Sequence, residues 1–449
     1  LNILQRIRLS VLPRDHKPGH VQDGQRDYFR SFLLHFRPWT VPERTLGLSL
    51  TWGLGGAAVV LVVLLFGTGL MLKFVYEPFS DRAYDSILYL NNQVPFGQLI
   101  RNMHRWSANG LVFVVFLHLL RVYYTGAFVA PRQFNWIIGL TLFAVVIFSN
   151  FTGYLLPWDQ IAFWAITIST AMLDYIPVVG AGLKEWILGG PEPGSRALMN
   201  FYAIHTAVLP GLMLLGLPFH FWRIRKANGL VIPSPPEEEP TTRGAMVEAM
   251  PHLIIREVTM ALVVLATILA IAMLFNAPLA EQANPGLSPN PTKAPWYFMG
   301  IQEMLMHFHP VFALLVIPVL LLFGLVSIPY INYEAETTGV WFCSKKGRIM
   351  AVMAVFFASA TTVAAVLLDE FVFRKMAVGP PGMISTGLLP FAVILAICTG
   401  FYLLIKKGFK ANNNEAIQAL FTLLATSFVV LTFIGIWFRG TGMQLMWAG

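Results

Sequence analysis

Hydrophobic residues fall into nine long runs, at roughly 48 to 76, 103 to 125, 135 to 156, 200 to 223, 254 to 277, 310 to 331, 349 to 370, 386 to 405 and 416 to 438. Each is long enough for a helix to cross the hydrocarbon core of a bilayer, which takes about 20 apolar residues. The pattern predicts an all-α membrane protein. The first 45 residues are polar, basic and histidine-containing, and read as a cytoplasmic cap in which His16, His20 and His35 are solvated. From Pro233 to Arg243 the chain reads PSPPEEEPTTR, the heart of a Pro/Glu-rich linker expected over 233–250. The linker separates a four-helix unit, 46–232, from about five further helices in 251–331 and 332–449. Short amphipathic helices are expected between Trp164 and Gly189. No internal repeat relates the two parts, so an inverted-repeat transporter has no support.

Composition agrees: of 449 residues 56% are hydrophobic and 12% charged, with a mean hydropathy of +0.64, far too apolar for a soluble chain of this length. Charge orients the spans. With a cytoplasmic N-terminus, that side holds 21 of the 31 Lys and Arg residues, and an odd number of spans puts Phe438 to Gly449 outside. The net charge of +8 therefore reports topology and lipid contact, not nucleic-acid binding. The N-terminal stretch lacks a signal-peptide pattern, which favours a bacterial inner membrane.

Candidate chemistry centres on four histidines. His104 and His118 lie fourteen apart in one run, and His205 and His220 fifteen apart in another. Fourteen residues of helix separate two side chains by roughly 21 Å on nearly one face. Two such helices could clamp two stacked cofactors. Haem suits this geometry, because its iron takes an imidazole from each side. Zinc does not, since neither pair falls within one helical turn and no carboxylate or thiolate stands beside it. Gly55 and Gly69, and Gly139 and Gly153, repeat the fourteen-residue interval in the flanking runs, where a bare backbone admits a flat ring or a close helix. Only two cysteines occur, Cys343 and Cys398, and no C-x-x-C-H motif, so no covalent haem is expected by that route.

The stretches RNMHRWSANG from Arg101, HLLRVYYTGAF from His118, TGYLLPWDQ from Thr152, and FYAIHTAVLP and HFWRIRK around His205 and His220 resemble the cytochrome b/b6 family. The likeness runs from about residue 45 to 330 and is closer to the chloroplast-type split form, here fused in one chain. It implies a di-haem, quinol-oxidising subunit with two non-covalent b haems. His104 would pair with His205 nearer the outer face, and His118 with His220 nearer the cytoplasm. Arg101 and Arg121 match positions that pair with haem propionates, or else anchor the spans at the interface. The outer quinol site would lie under Tyr154, Pro157 and Trp158 on one loop and Pro295, Trp296 and Tyr297 on another.

Three departures accompany the likeness. The family usually reads P-E-W-Y at the second outer-site motif, with the Glu taking a proton from quinol, whereas this chain reads A-P-W-Y from Ala294. Glu303 is the substitute expected from the sequence, with His307 and His309 as a route outward; the alternative is an interfacial cluster without chemistry. Gly53 stands where chloroplast-type members attach an extra haem through a Cys, so none is expected here. A ninth span exceeds the family's usual eight.

The inner quinone site would be bounded by Arg225, Lys226, Arg256 and Glu257, with His252 one turn before, unless these only mark the cytoplasmic side. Expected partners are lipid, quinone, a Rieske iron–sulfur protein or a c-type, possibly multihaem, cytochrome, and a second copy in a dimeric complex. The competing reading is a non-redox transporter or anchor with a histidine proton relay. A visible spectrum would separate the two.

Overall fold

The computed structural model describes residues 3–11, 40–233, 245–331, 333, 338–373 and 382–446. His16, His20 and His35 and most of the expected linker lie outside them. The helices in chain order are α1 Ile3–Val11, α2 Leu54–Lys73, α3 Ala83–Gln93, α4 Gly97–Tyr124, α5 Gln133–Leu155, α6 Gln160–Ala171, α7 Gly180–Leu188, α8 Ser195–Lys226 and α9 Ala249–Leu274. They continue with α10 Met299–His307, α11 Phe312–Tyr330, α12 Lys345–Phe373, α13 Ile384–Gly408 and α14 Asn413–Trp437. Among the described residues nine of these are long and apolar enough to span a membrane: α2, α4, α5, α8, α9, α11, α12, α13 and α14. This is a multi-pass membrane protein. The expectation of short helices after Trp164 is met by α6 and α7, whereas α3 was not foreseen.

The end of the expected linker carries a strand: β1, Thr40–Pro42, pairs antiparallel with β2, Met246–Glu248, placing Thr40 opposite Glu248. Val41 and Val247 face each other in this ribbon, a pairing that β-branched side chains favour. The ribbon fastens the edge of the N-terminal segment to the start of α9.

Prolines explain an irregularity repeated in three spans. Pro210, Pro318 and Pro390 each follow a π-turn by two residues, the turns being Ile204–Val208, Phe312–Val316 and Ile384–Leu388. Proline gives no N–H to the carbonyl four residues earlier and its ring crowds that oxygen. In each case that carbonyl belongs to the middle residue of the turn, and widening the turn relieves the clash. The Thr386 carbonyl finds another donor in the backbone N–H of His309, at 2.8 Å.

Helices α2, α4, α5 and α8 form one bundle. Its midsection is filled by Leu61 and Val62, Leu111 and Val112, Val145 and Val146, and Leu209 and Met213, two residues from each helix. In sequence each pair falls between the two glycines or two histidines of its own helix. A dry apolar layer therefore separates two levels of the bundle. A second core joins α12 to α14 through Ala354, Ala358, Ala416 and Ala419, small residues that let membrane helices approach closely. Ser344 caps α12 and donates at 2.6 Å to Glu415, itself part of the capping box that opens α14. Tyr123 of α4 packs against Phe421 of α14, ring centres 3.8 Å apart and planes tilted by 32°, which docks the two units together.

Candidate functional site

His104 and His205 face each other with ring centroids 6.3 Å apart and ring planes at 76°. Two metal–nitrogen bonds of about 2.0 Å, plus about 1.1 Å from each nitrogen to its ring centre, cover nearly the same span. The hydroxyl of Thr68 donates to the Leu64 carbonyl at 2.6 Å, leaving its oxygen to accept from Nδ1 of His104 at 2.9 Å. Thr152 repeats the arrangement, donating to Phe148 at 2.9 Å and accepting from Nδ1 of His205 at 3.1 Å. With Nδ1 protonated and engaged, Nε2 is the lone pair left for a metal. Sequence reasoning missed both threonines, although the pair Thr-Gly at 68–69 and again at 152–153 was a readable signal.

The glycines lie against the histidines in two levels. A Cβ on Gly69 would come within 3.1 Å of His104, and one on Gly153 within 2.6 Å of His205. At the other level a Cβ on Gly55 would lie 3.6 Å from His118, and one on Gly139 3.6 Å from His220. His118 and His220 are within electrostatic reach of one another. Nδ1 of His220 is buried without a hydrogen-bond partner. The fifteen-residue interval on α8 matches the fourteen-residue one on α4 because His205 sits in a π-turn, which takes up about one extra residue. Facing imidazoles, glycine-lined walls and orphaned polar atoms fit two flat metallocofactors, one per level.

The arginines divide. Arg101 gives Nη1 to the Ala277 carbonyl at 3.0 Å and Nη2 to that of Pro278 at 2.6 Å, so it clamps the chain leaving α9. Asn102 and Trp106 do the same, donating to Ala272 at 2.8 Å and Phe275 at 2.8 Å. Arg121 spends Nε on the Leu50 carbonyl at 2.6 Å, but its buried Nη2 has no partner. Gly53 has φ of +63°, and a Cβ there would come within 2.5 Å of Met260. That contact is with the flexible end of Met260, so the positive φ is the larger obstacle to a side chain here.

At the level of His104 the two aromatic loops converge. The guanidinium of Arg105 lies 5.2 Å from the centre of the Tyr154 ring, and its buried Nε has no partner. The buried hydroxyl of Tyr297 also has none. Burial pushes the Tyr297 phenol up, and Arg105 partly offsets this. Trp296 is 37% exposed and donates to Asn109 Oδ1 at 2.9 Å. Pro295 is buried and Pro157 half-buried. Trp158 is buried edge-on against Phe163, so it supports the loop from behind. Asp159 caps α6 and accepts from the Ala280 N–H at 2.9 Å, joining the loop after α5 to the segment after α9. Arg105 was missed as a pocket residue although it adjoins His104, a candidate ligand.

Glu303 is not the open carboxylate that the sequence suggested. It is fully buried, with Arg439 Nε at 3.1 Å and 3.0 Å from its two oxygens and Nη2 at 2.6 Å from Oε1. A carboxylate so engaged is committed to the guanidinium. Its Oε1 also meets His307 Nε2 at 3.1 Å, while His307 Nδ1 meets Asp369 at 2.7 Å and Arg439 Nη1 reaches Glu370 at 3.1 Å. Burial alone would raise the Glu303 carboxyl, but bonds from His307 and Arg439 hold it below the ordinary range. For His307 burial would lower the imidazole, and its two carboxylate partners raise it instead. His309 stands apart, edge-on to Tyr175.

Toward the inner face, Lys226 is exposed over the Trp222 ring, 5.2 Å from its centre, and Arg225 is half-buried. His252, Arg256 and Glu257 are exposed at the start of α9, with Arg256 donating to the Leu46 carbonyl. Arg223, absent from the expected set, is buried and donates to the carbonyls of Ser10 and Val11, fixing the end of α1.

Comparison with known proteins accords with this site. The family model for cytochrome b/b6/petB matches residues 43–228, which include all four histidines. Cytochrome b6 of Acaryochloris marina is 43% identical over 173 residues, 38% of this chain and 80% of that protein. Cytochrome b6 of Synechococcus elongatus is 42% identical over the same length, again 38% of this chain and 80% of that protein. A chain of a solved hyperthermophilic respiratory Complex III has the same fold, with a TM-score of 0.63 at 20% identity, covering 91% of this chain and 98% of that one.

Proposed function

The chain belongs to the cytochrome b/b6 family, and on that premise we propose that it is the di-haem subunit of a respiratory quinol:cytochrome c oxidoreductase. It oxidises quinol at the outer face and feeds a quinone site at the inner face. The observation that carries this reading is the 6.3 Å facing of His104 and His205, each oriented by a threonine and backed by a glycine. Bound between the two histidine pairs, b haems supply one-electron transfer across the bilayer.

The residues then divide the work. Thr68 and Thr152 hold the tautomer that presents Nε2, and the Leu61 to Met213 layer keeps water from between the two levels. Arg121 offers its free Nη2 to a haem propionate at the inner level, while Arg101 fixes the outer loop. Tyr154, Pro157, Pro295, Trp296 and Tyr297 wall the outer quinol pocket. The unpartnered Tyr297 hydroxyl and Arg105 Nε are positioned to hydrogen-bond a quinol oxygen, because a buried polar atom left alone is costly. Arg225, Lys226 and Glu257 stand where protons enter from the cytoplasm to an inner quinone. The external acceptor is a Rieske protein or a c-type cytochrome subunit, in a dimeric complex of a bacterial inner membrane.

The test is spectroscopic. Complex purified from membranes should give reduced-minus-oxidised difference bands of two b components, and duroquinol should reduce them. A protein without b-haem bands, or with bands that quinol never reduces, would sink the proposal and favour the anchor or transporter reading.

A further inference from the structure

Five charged or titratable side chains meet outside the aromatic pocket, contributed by three parts of the chain: Glu303 and His307 from α10, Asp369 and Glu370 from the end of α12, and Arg439 from the segment after α14. All lie beyond the residues matched by the family model, and all fall on the face that carries Tyr297. The segment after α14 is fixed against the same loop, since Lys293 donates to the Ile436 carbonyl at 2.8 Å and Gly442 N–H to Asn290.

Resting on the quinol-oxidation reading above, we propose that His307 is the group that takes up and releases the quinol-derived proton on the outer face. Nε2 of His307 has an acceptor, Glu303 Oε1 at 3.1 Å, and a donor, Arg439 Nη2 at 3.3 Å. Either protonation state of that nitrogen therefore keeps a partner. A neutral ring donates Nδ1–H to Asp369 and accepts from Arg439. A proton arriving at Nε2 makes an imidazolium that donates to Glu303 and Asp369. Passing the Nδ1 proton to Asp369, and from Asp369 to water, leaves a neutral ring protonated on Nε2, and tautomer exchange back to Nδ1–H resets it for the next proton. One proton enters, one leaves, and no electron moves.

Exposure sets the direction. The side chain of His307 is 9% exposed and that of Asp369 27%, so the bond between them leads from the interior toward the surface. Among the described residues the titratable and charged groups facing His307 are Glu303, Asp369 and Arg439, with Glu370 on the far side of Arg439. His307 lies ten residues after Tyr297, about 15 Å along a helix, so the proton must cross by a chain of several waters. Pinned by Arg439, Glu303 positions the imidazole and does not itself carry the proton. This supplies the function that the missing Glu of the A-P-W-Y motif leaves open.

Purified complex carrying His307→Gln, and separately Asp369→Asn, would be tested for the rate of haem b reduction by duroquinol between pH 5.5 and 9. Glu303→Gln is avoided because it strands Arg439. Both variants should keep wild-type haem spectra, reduce roughly tenfold or more slowly at neutral pH, and lose the acid limb of the pH profile, in line with removal of a proton acceptor. Independently of quinol, the infrared difference between pH 6 and pH 8 should contain a histidine ring band that His307→Gln removes. Wild-type profiles in both variants, or an unchanged infrared difference, would overturn the proposal while leaving the quinol reading intact. Failure of duroquinol to reduce even the wild-type haems would instead overturn the quinol reading, and this proposal with it.

Discussion

Gly153 lies so close to His205 that a Cβ on the glycine would come within 2.6 Å of the imidazole Cε1. The backbone of α5 is thus one wall of the level that holds His104 and His205. Because helix backbones cannot shift easily in a packed bundle, the ring would have to move.

The glycine distances order the effects of substitution. Gly153→Ala should remove or distort the haem held by His104 and His205, Gly69→Ala at 3.1 Å should do so less, and Gly55→Ala and Gly139→Ala at 3.6 Å least. Low-temperature difference spectra and redox titration would read this, and equal loss in all four variants would refute the ranking.

Ligand removal should act one level at a time. His118→Ala or His220→Ala is expected to delete the inner b component and spare much of the outer one. Thr68→Val should weaken haem retention by about 10- to 100-fold, as loss of a group orienting a metal ligand does. Haem peroxidase staining of denaturing gels should stay blank on this chain, as Gly53 offers no thiol.

Tyr297→Phe separates binding from stability. Its buried hydroxyl has no protein partner, so deleting it should leave the unfolding free energy unchanged or raise it by up to about 1–3 kcal/mol. The KM for duroquinol should rise by roughly 5- to 100-fold, the worth of one buried hydrogen bond. Thermal melts and steady-state kinetics on one preparation would check both, and an unchanged KM would remove Tyr297 from the pocket.

The Glu303–Arg439 pair should dominate the stability of the outer end of α14. Arg439→Gln leaves a buried carboxylate uncompensated and should cost about 3–5 kcal/mol. A loss under about 1 kcal/mol, measured by chemical unfolding, would show that solvent reaches the pair.

Opposite pKa shifts give that cluster a pH window. Glu303 is held below its ordinary value, so its contribution is present above about pH 4.3 and is lost as pH falls through the folded value. His307 is raised, so its contribution is complete below about pH 6.5 and is lost as pH rises through the folded value. Between pH 6 and 8.5 the melting temperature should therefore fall in the wild type and fall less in His307→Gln. Parallel slopes would contradict the shift assigned to His307.

Helical periodicity and apolar run length made the nine spans and the four histidines legible, because both follow from 1.5 Å rise and the thickness of a bilayer. The matched glycines were legible for the same reason. The phase of His205 against His220 was not, since it depends on a π-turn that Pro210 induces. Nor was the fate of Glu303: its partner Arg439 lies 136 residues away, past two hydrophobic hairpins. Local sequence carries no signal for such a contact.

The sequence by itself determined the class of molecule, the helices and the candidate ligand set, all of which depend on spacing within one segment. Only the tertiary structure decided which polar atoms are spent and which are left over. Arg101 spends both Nη atoms on loop carbonyls, whereas Arg121 keeps one Nη unpartnered; Glu303 is locked and the Tyr297 hydroxyl is free. These outcomes turn on how chain segments far apart in sequence satisfy or abandon buried hydrogen-bonding groups, a cost settled only once the helices have packed.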